Sequence, residues 1–293
     1  MHHLIAIIVF YIFSLSFSLK ADAAACCTSA AAFGTGRLLA WETFAVGLNA
    51  SFLTQLGDFD IKKKSWLRDE ADSKNRQYAL EIWGIFDLGR QFSAFASIPL
   101  IMPTITQSGI LEYGYGFGDV KSGLRYQAVR VGEYQELPAI ALLGTLIFPT
   151  ATGPGTIKAS DVTGRGVWAL SLGTSIEKTW LPWYTQINLG ATFPFKNYGP
   201  SIQIDLAGGI ELPQNVVISL IGKWNYEGNW YKDEKPLFEF SRYKTTAILA
   251  ASWRFDPHFT LQSSLSTDIT LEPISYGLPG NTGLNIGIRY GYF

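Results

Sequence analysis

The stretch GLNIGIRYGYF, from Gly283 to Phe293, sorts its side chains by turns onto the two sides of an extended strand. Leu284, Ile286, Ile288, Tyr290 and Tyr292 share one side, and Asn285, Gly287, Arg289 and Gly291 share the other. Successive residues of a strand point to opposite faces, so one face is apolar and the other is small or charged. A strand of a soluble sandwich can alternate in the same way. The reading therefore rests on whether the rest of the chain repeats the pattern, and how it joins the repeats.

From residue 38 onward the chain repeats one unit: strand, tight turn, strand, longer loop. Alternation and turn residues predict strands over 39–56, 77–88, 91–101, 117–130, 137–148, 165–178, 183–194, 201–212, 215–227, 242–255, 258–271 and 283–293. That is about twelve, and most exceed the ~9–11 residues that a tilted strand needs to cross a bilayer. Short turns fall at 88–91, 180–183, 212–215 and 255–258, with a slightly longer one at 131–136. Longer loops fall at 58–76, 102–116, 149–164, 228–241 and 272–282, and 195–200 is the short exception among them. Short turns on one side and long loops on the other are the arrangement of a transmembrane barrel, and a soluble sandwich has no reason to keep it. The expected fold is an all-β, transmembrane antiparallel barrel of about twelve strands, with short periplasmic turns and longer extracellular loops.

The physics of lipid agrees. In 201–212, Ile202, Ile204, Leu206, Ile210 and Leu212 alternate with Ser201, Gln203, Asp205 and Glu211. In 259–271, Phe259, Leu261, Leu265, Ile269 and Leu271 alternate with polar residues. Lipid cannot satisfy polar groups, so the outer face must be apolar, and closure removes the sheet edges. Segments 138–148 and 91–101 are largely apolar on both faces, which predicts a partly non-polar lumen wall. Three strands end alike, in Ser97-Ile98-Pro99, Ile147-Phe148-Pro149 and Thr192-Phe193-Pro194. Proline cannot donate to a ladder, so these prolines are expected to mark the outer rim. Phe148 and Phe193, with Trp41, Trp168, Trp180, Trp183, Trp224 and Trp253, are expected in interfacial aromatic belts.

The totals fit. The 293 residues are 47% hydrophobic, 14% aromatic and only 16% charged, against ~25% charged in globular proteins. Net charge is −1, which gives no electrostatic case for nucleic acid. Beyond the N-terminus there is no apolar run of the ~18 residues a membrane helix needs. Residues 4–19, LIAIIVFYIFSLSFSL, followed by Ala21, Ala23, Ala24 and Ala25, read as a secretory signal peptide over 1–25, with a membrane-anchoring helix as the alternative. Residues 26–37 then form a flexible periplasmic segment, and 38–293 the barrel. Ala-Ala-Ala-Cys26 loosely resembles a bacterial lipobox, with Ala23 where a Leu is usual, so a lipid on Cys26 is a second reading. Cys26 and Cys27 are adjacent and do not bridge readily. No metal-ligand spacing, phosphate loop or cofactor motif is present.

A closing strand with spaced Tyr residues before Phe293 resembles the last strand of bacterial outer-membrane barrels. The resemblance implies that Gly283 to Phe293 is also read by the barrel-assembly machinery, although Gly291 stands where a second aromatic is usual. Residues 114–150, GYGFGDVKSGLRYQAVRVGEYQELPAIALLGTLIFPT, resemble the outer-membrane barrel family named after the meta-pathway of phenol degradation. The features shared are Gly116-Phe117-Gly118-Asp119, then Leu124-Arg125-Tyr126, then a hydrophobic strand into Pro149-Thr150-Ala151-Thr152-Gly153, whose Gly is displaced. The resemblance implies an outer-membrane channel or transporter that passes small, hydrophobic compounds, and it supplies no site residues.

An enzyme would need a nucleophile with a base. After the signal peptide the only histidine is His258, in the turn Asp256-Pro257-His258, where Asp and Pro are turn formers. The informative residues are instead charges on the lumen parity: Glu81, Asp119, Lys121, Arg125 and Arg165, then Asp205, Lys223, Lys244, Arg254, Asp268 and Arg289, with Gln127, Glu211 and Glu227 beside them. Arg or Lys aimed at lipid costs ~2–4 kcal/mol at the midplane, so such residues belong inside. They either neutralise one another as a filling network or set what passes. Eight strands leave room for side chains and 16–18 for a water channel, so about twelve predicts a narrow or partly plugged pore. The charged loop 58–76, with Lys62-Lys63-Lys64, reads as a solvated outer loop or a lid. The expected function is passive uptake of small molecules across the outer membrane. The alternative is a structural or adhesive barrel. The partners implied are outer-membrane lipid and a small-molecule substrate.

Overall fold

The computed structural model describes residues 42–60, 65–68, 74–107, 110–129, 137–151, 164–196, 198–228, 231–232, 235–236, 242–269 and 280–292. Residues 1–25, expected as a signal peptide, the Cys26 and Cys27 pair, Trp41, Lys62-Lys63-Lys64 and Phe293 lie outside these residues.

Twelve antiparallel strands form the wall. They are β1 (Phe44–Asp60), β2 (Lys74–Gly89), β3 (Phe92–Gln107), β4 (Val120–Val129), β5 (Ala139–Phe148) and β6 (Ala169–Trp180), then β7 (Trp183–Pro194), β8 (Ser201–Leu212), β9 (Val216–Glu227), β10 (Arg242–Trp253), β11 (Phe259–Ile269) and β12 (Gly280–Tyr292). Each pairs with its neighbours in sequence, and β12 returns to β1 to close the barrel. That closing ladder runs from Phe44 opposite Tyr292 to Gly57 opposite Gly280. Closure leaves no unpaired edge in lipid.

The register places the alternation as the sequence arranges it. Phe44, Val46 and Leu48 stand opposite Tyr292, Tyr290 and Ile288 on the outward face, while Asn49 and Gly47 stand opposite Gly287 and Arg289 on the inward face. Ile82, Leu124, Leu206, Leu220, Leu249 and Ile286 are exposed outward, a continuous apolar band that suits lipid. Trp180, Trp183 and Trp253 are exposed at the end of the barrel that carries the short turns, and Trp168 at the other. Trp168 packs on Phe148, ring centroids 4.9 Å apart. By the barrel rule the short-turn end is the inner, periplasmic one.

Two of the inner turns run through left-handed backbone. Gly89, Arg90 and Gln91 join β2 to β3 with φ of 78°, 49° and 71°, and Gln214 and Asn215 join β8 to β9 with 71° and 59°. Only Gly takes this region without cost, and Asn tolerates it.

Two expectations are corrected. Pro99 does not end its strand: β3 runs on to Gln107. Proline lacks an N–H, so the wall adapts beside it. The β3–β4 ladder stops at Ser97 opposite Lys121. The short strand Gly116–Phe117 then pairs with Leu100 and Ile101, and Gly118 N–H donates to Pro99 O at 2.7 Å. Pro194 does end β7, and Pro149 follows the end of β5. The strands nearest the N-terminus also extend further outward than their apolar pattern, to Asp60 on β1 and from Lys74 on β2.

Candidate functional site

The lumen differs along its axis. Its inner half is packed. Trp83, Ile85, Phe95 and Ala45 form one buried cluster, Tyr184 and Val217 a second, and Ala207, Ile221 and Ala250 a third with Ile248 against it. All of these point inward. Small residues opposite make the room: a Cβ on Gly47 would collide with the Trp83 indole, and one on Gly209 with the Tyr184 ring. Several buried polar groups between the clusters are bonded, whereas Ser97 Oγ and Gln186 Oε1 have no hydrogen-bond partner among the described residues. Tyr184 Oη and Ser219 Oγ lie 2.5 Å apart. Gln186 donates to Ser175 Oγ at 2.9 Å and to Asn188 Oδ1 at 3.0 Å. Arg289 forms a two-pronged, buried ion pair with Glu42, with Nη1 donating to Oε1 at 2.7 Å. Arg125 donates through Nε and Nη2 to Gln127 Oε1, at 3.3 and 3.2 Å.

The outer half holds a cavity of about 360 Å³. Its charged lining residues are Glu81 on β2, Lys121 on β4 and Lys223 on β9. Gln203, Asn225 and the hydroxyls of β5–β8, such as Thr145 and Ser171, complete a polar wall, with Leu143 and Ile147 as its apolar part. Asp205 is fully buried and stands opposite Lys223 on the neighbouring strand. Both of its carboxylate oxygens accept from Gln203 Nε2 at 3.0 Å. One step further round, Lys244 pairs with Asp268 at 2.8 Å. Thr246 and the backbone N–H of Asn281 also donate to Asp268, each at 2.7 Å.

Above the cavity a rim cluster ties the outer connections together. Asp119 Oδ2 accepts from the backbone N–H of Arg165 at 3.0 Å, and its oxygens accept from Gly166 and Ala151 at 3.3 Å. A Cβ on Gly118 would crowd the side chains of Ile101 and Pro99, at 2.8 Å from each. Arg165 Nη2 donates to Glu227 Oε1 at 2.8 Å, and its guanidinium lies 5.5 Å from the centroid of Tyr198. Burial pushes the Tyr198 phenol above its ordinary range; Arg165 opposes this, and Asp119 and Glu227 add to it.

Glu81, Lys121 and Lys223 thus meet at one cavity, with Asp205 behind Lys223 and the Lys244–Asp268 pair nearby. Arg125 and Arg289 sit in the packed inner half. Asp119 and Arg165 precede β4 and β6 and hold the rim rather than the wall. Arg254 lies past the end of β10, in an inner turn, where its N–H donates to Asn215 O at 3.1 Å. His258 Nδ1 lies 2.9 Å from Gly291 O and its ring stacks on Tyr290, so it clasps the last strand.

Sequence reasoning missed two buried acids. Glu177 shares the parity of Arg165 and was readable by that signal. Glu42 has the outward parity of Phe44, but it precedes β1 and turns in beneath Gly291, a position that no periodicity encodes. Among the described residues no group of three metal-ligating side chains converges, and no helix is long and apolar enough to cross a membrane, which says nothing against a barrel.

No family model matches the chain, and no curated protein does. Solved structures do. An outer membrane channel from Pseudomonas putida F1 is similar with a TM-score of 0.70 at 14% identity, over 87% of this chain and 97% of that one. The translocator domain of the autotransporter NalP from Neisseria meningitidis gives 0.50 at 11% identity, over 90% and 91%. The transport unit of the autotransporter AIDA-I from Escherichia coli gives 0.50 at 9% identity, over 92% and 96%. At such identities the likeness is one of fold. With the closed wall and the outward apolar band, it makes this chain an outer-membrane β-barrel.

Proposed function

We propose that the chain is a channel for passive uptake of small molecules across the outer membrane, reached there by way of a signal peptide over residues 1–25. The observation that carries this is the polar cavity of about 360 Å³ in the outer half of the lumen, a volume in the range of small-molecule sites. A solute would diffuse down its gradient into this chamber and then pass the packed inner half, which is the constriction. The lumen charges, Glu81, Lys121, Lys223, Lys244, Asp205 and Asp268, shape the path, and no catalytic or cofactor role is assigned to them. The family resemblance of residues 114–150 favours hydrophobic solutes. The lining favours polar ones, since Leu143 and Ile147 are its main apolar surface. The likeness in fold to a channel from Pseudomonas putida F1 supports the channel reading without naming a solute.

A structural or adhesive barrel is the second reading. The three buried clusters that fill the inner half favour it. Swelling of proteoliposomes in iso-osmotic glycerol separates the two. Swelling above that of empty liposomes supports the channel. A barrel shown to be folded by its heat-dependent gel mobility, yet impermeable to glycerol, contradicts it.

A further inference from the structure

Two opposite charges face the cavity without meeting. Glu81 on β2 stands opposite Pro99, and Lys121 on β4 stands opposite Ser97, so one strand separates them. Two interstrand steps and two residues along the strand put their Cα atoms about 12 Å apart. Side chains of these lengths could close that distance in an ion pair. They do not: among the described residues neither Glu81 nor Lys121 has a hydrogen-bond or ion-pair partner.

Other charges of the outer half have opposite charges beside them. Lys244 is bound to Asp268. Lys223 stands beside Asp205 and within electrostatic reach of Lys121. Apart from Lys223, which shares the far wall with amides and hydroxyls and stands next to Asp205, the cavity is presented with one carboxylate and one ammonium, Glu81 and Lys121, on the same side of the chamber. A solute with a single charge satisfies one of them and is repelled by the other. A solute carrying both an ammonium and a carboxylate satisfies both.

We propose that this cavity is a selective site for small zwitterions of the α-amino-acid type. The solute's carboxylate is held by Lys121 Nζ and its ammonium by Glu81. Gln203, Asn225 and the β6 and β7 hydroxyls take the remaining polar groups. The inference deepens the channel reading and relies on it for physiological meaning, whereas binding itself can be tested apart from flux.

The test is saturation-transfer NMR on the full barrel refolded in detergent micelles. The probes are L-serine, L-lactate, which lacks the ammonium, and serinol, which lacks the carboxylate. Each probe that lacks one charge loses a charge-assisted hydrogen bond, so L-serine is expected to bind about tenfold or more tighter than either. Glu81→Lys alone and Lys121→Glu alone should each abolish that preference. The double variant, carrying both changes, should restore it, which also excludes misfolding as the cause of the single losses. L-serine binding no tighter than L-lactate or serinol overturns the proposal. So does a serine preference that survives either single variant. Glycerol swelling reports the channel separately: a barrel that prefers serine but passes no glycerol keeps this site and loses the channel reading.

Discussion

The inner and outer halves of the lumen are built on the same twelve strands and the same alternation, yet one is filled and the other hollow. The difference lies in side-chain volume. Toward the short turns, the inward positions carry Trp83, Phe95, Tyr184 and Ile221, with Gly47 and Gly209 recessed to admit them. Toward the long connections, the inward positions of β5 to β8 carry Thr145, Ser171, Gly173, Gly190, Thr192 and Ser201. Strand number sets the diameter of a barrel, and the choice of side chains then decides where along the axis it is open. The charges divide in the same way. Arg289 and Glu42 are sealed together in the filled half, whereas Glu81 and Lys121 face space in the hollow one.

The comparison can be broken first at its most costly point. Replacing Arg289 with Ala leaves Glu42 buried without its ion pair. Breaking a buried pair costs ~3–5 kcal/mol, so the urea midpoint, read by gel mobility in micelles, should fall further than it does for Tyr184→Ala. Tyr184→Ala deletes a fully buried ring from the filled half at a cost of ~3 kcal/mol. It should also raise single-channel conductance in a planar bilayer, because it widens the constriction. At the rim, Asp119→Ala removes the acceptor that holds the N–H groups of Ala151, Arg165 and Gly166, a loss of ~1–3 kcal/mol that stays local. It should appear as faster protease cleavage between residues 149 and 168, with little change in the urea midpoint. Lys121→Met should shift stability by less than ~0.5 kcal/mol, since among the described residues its charge has no hydrogen-bond or ion-pair partner to lose. Its effect belongs to permeation: the reversal potential in a salt gradient should move toward cation preference.

Much of this was legible in the chain. Strands β11 and β12 declare their faces residue by residue, and the turns at 180–183 and 212–215 are marked by Pro182 and by the Gln214-Asn215 pair. These features are local, so local sequence encodes them. Three others are not. Beyond the apolar zone the outer end of β1 goes on pairing with residues 65–68, and that of β2 with β3, so hydrophobic periodicity stops before the strand does. Pro99 reads as a terminator, yet the neighbouring chain bulges around it and β3 continues. Glu42 meets Arg289 only because β12 returns to β1, a contact across nearly the whole chain. The cavity itself was visible only as a set of inward charges. Which of them are matched depends on cross-strand register, as with Lys223 opposite Asp205.

The contrast between the halves is tested most directly on a single strand. Ser171 and Ser175 both point inward from β6, four residues apart. Ser171 lines the cavity, while Ser175 is buried and accepts from Gln186. In a chain with Cys26 and Cys27 replaced by Ser, each position is changed to Cys in turn, and the folded barrel is treated with a charged, water-soluble thiol reagent. The account predicts fast modification of Ser171→Cys and protection of Ser175→Cys. Equal rates at the two positions, or faster modification at the inner one, would contradict a hollow outer half set on a filled inner one.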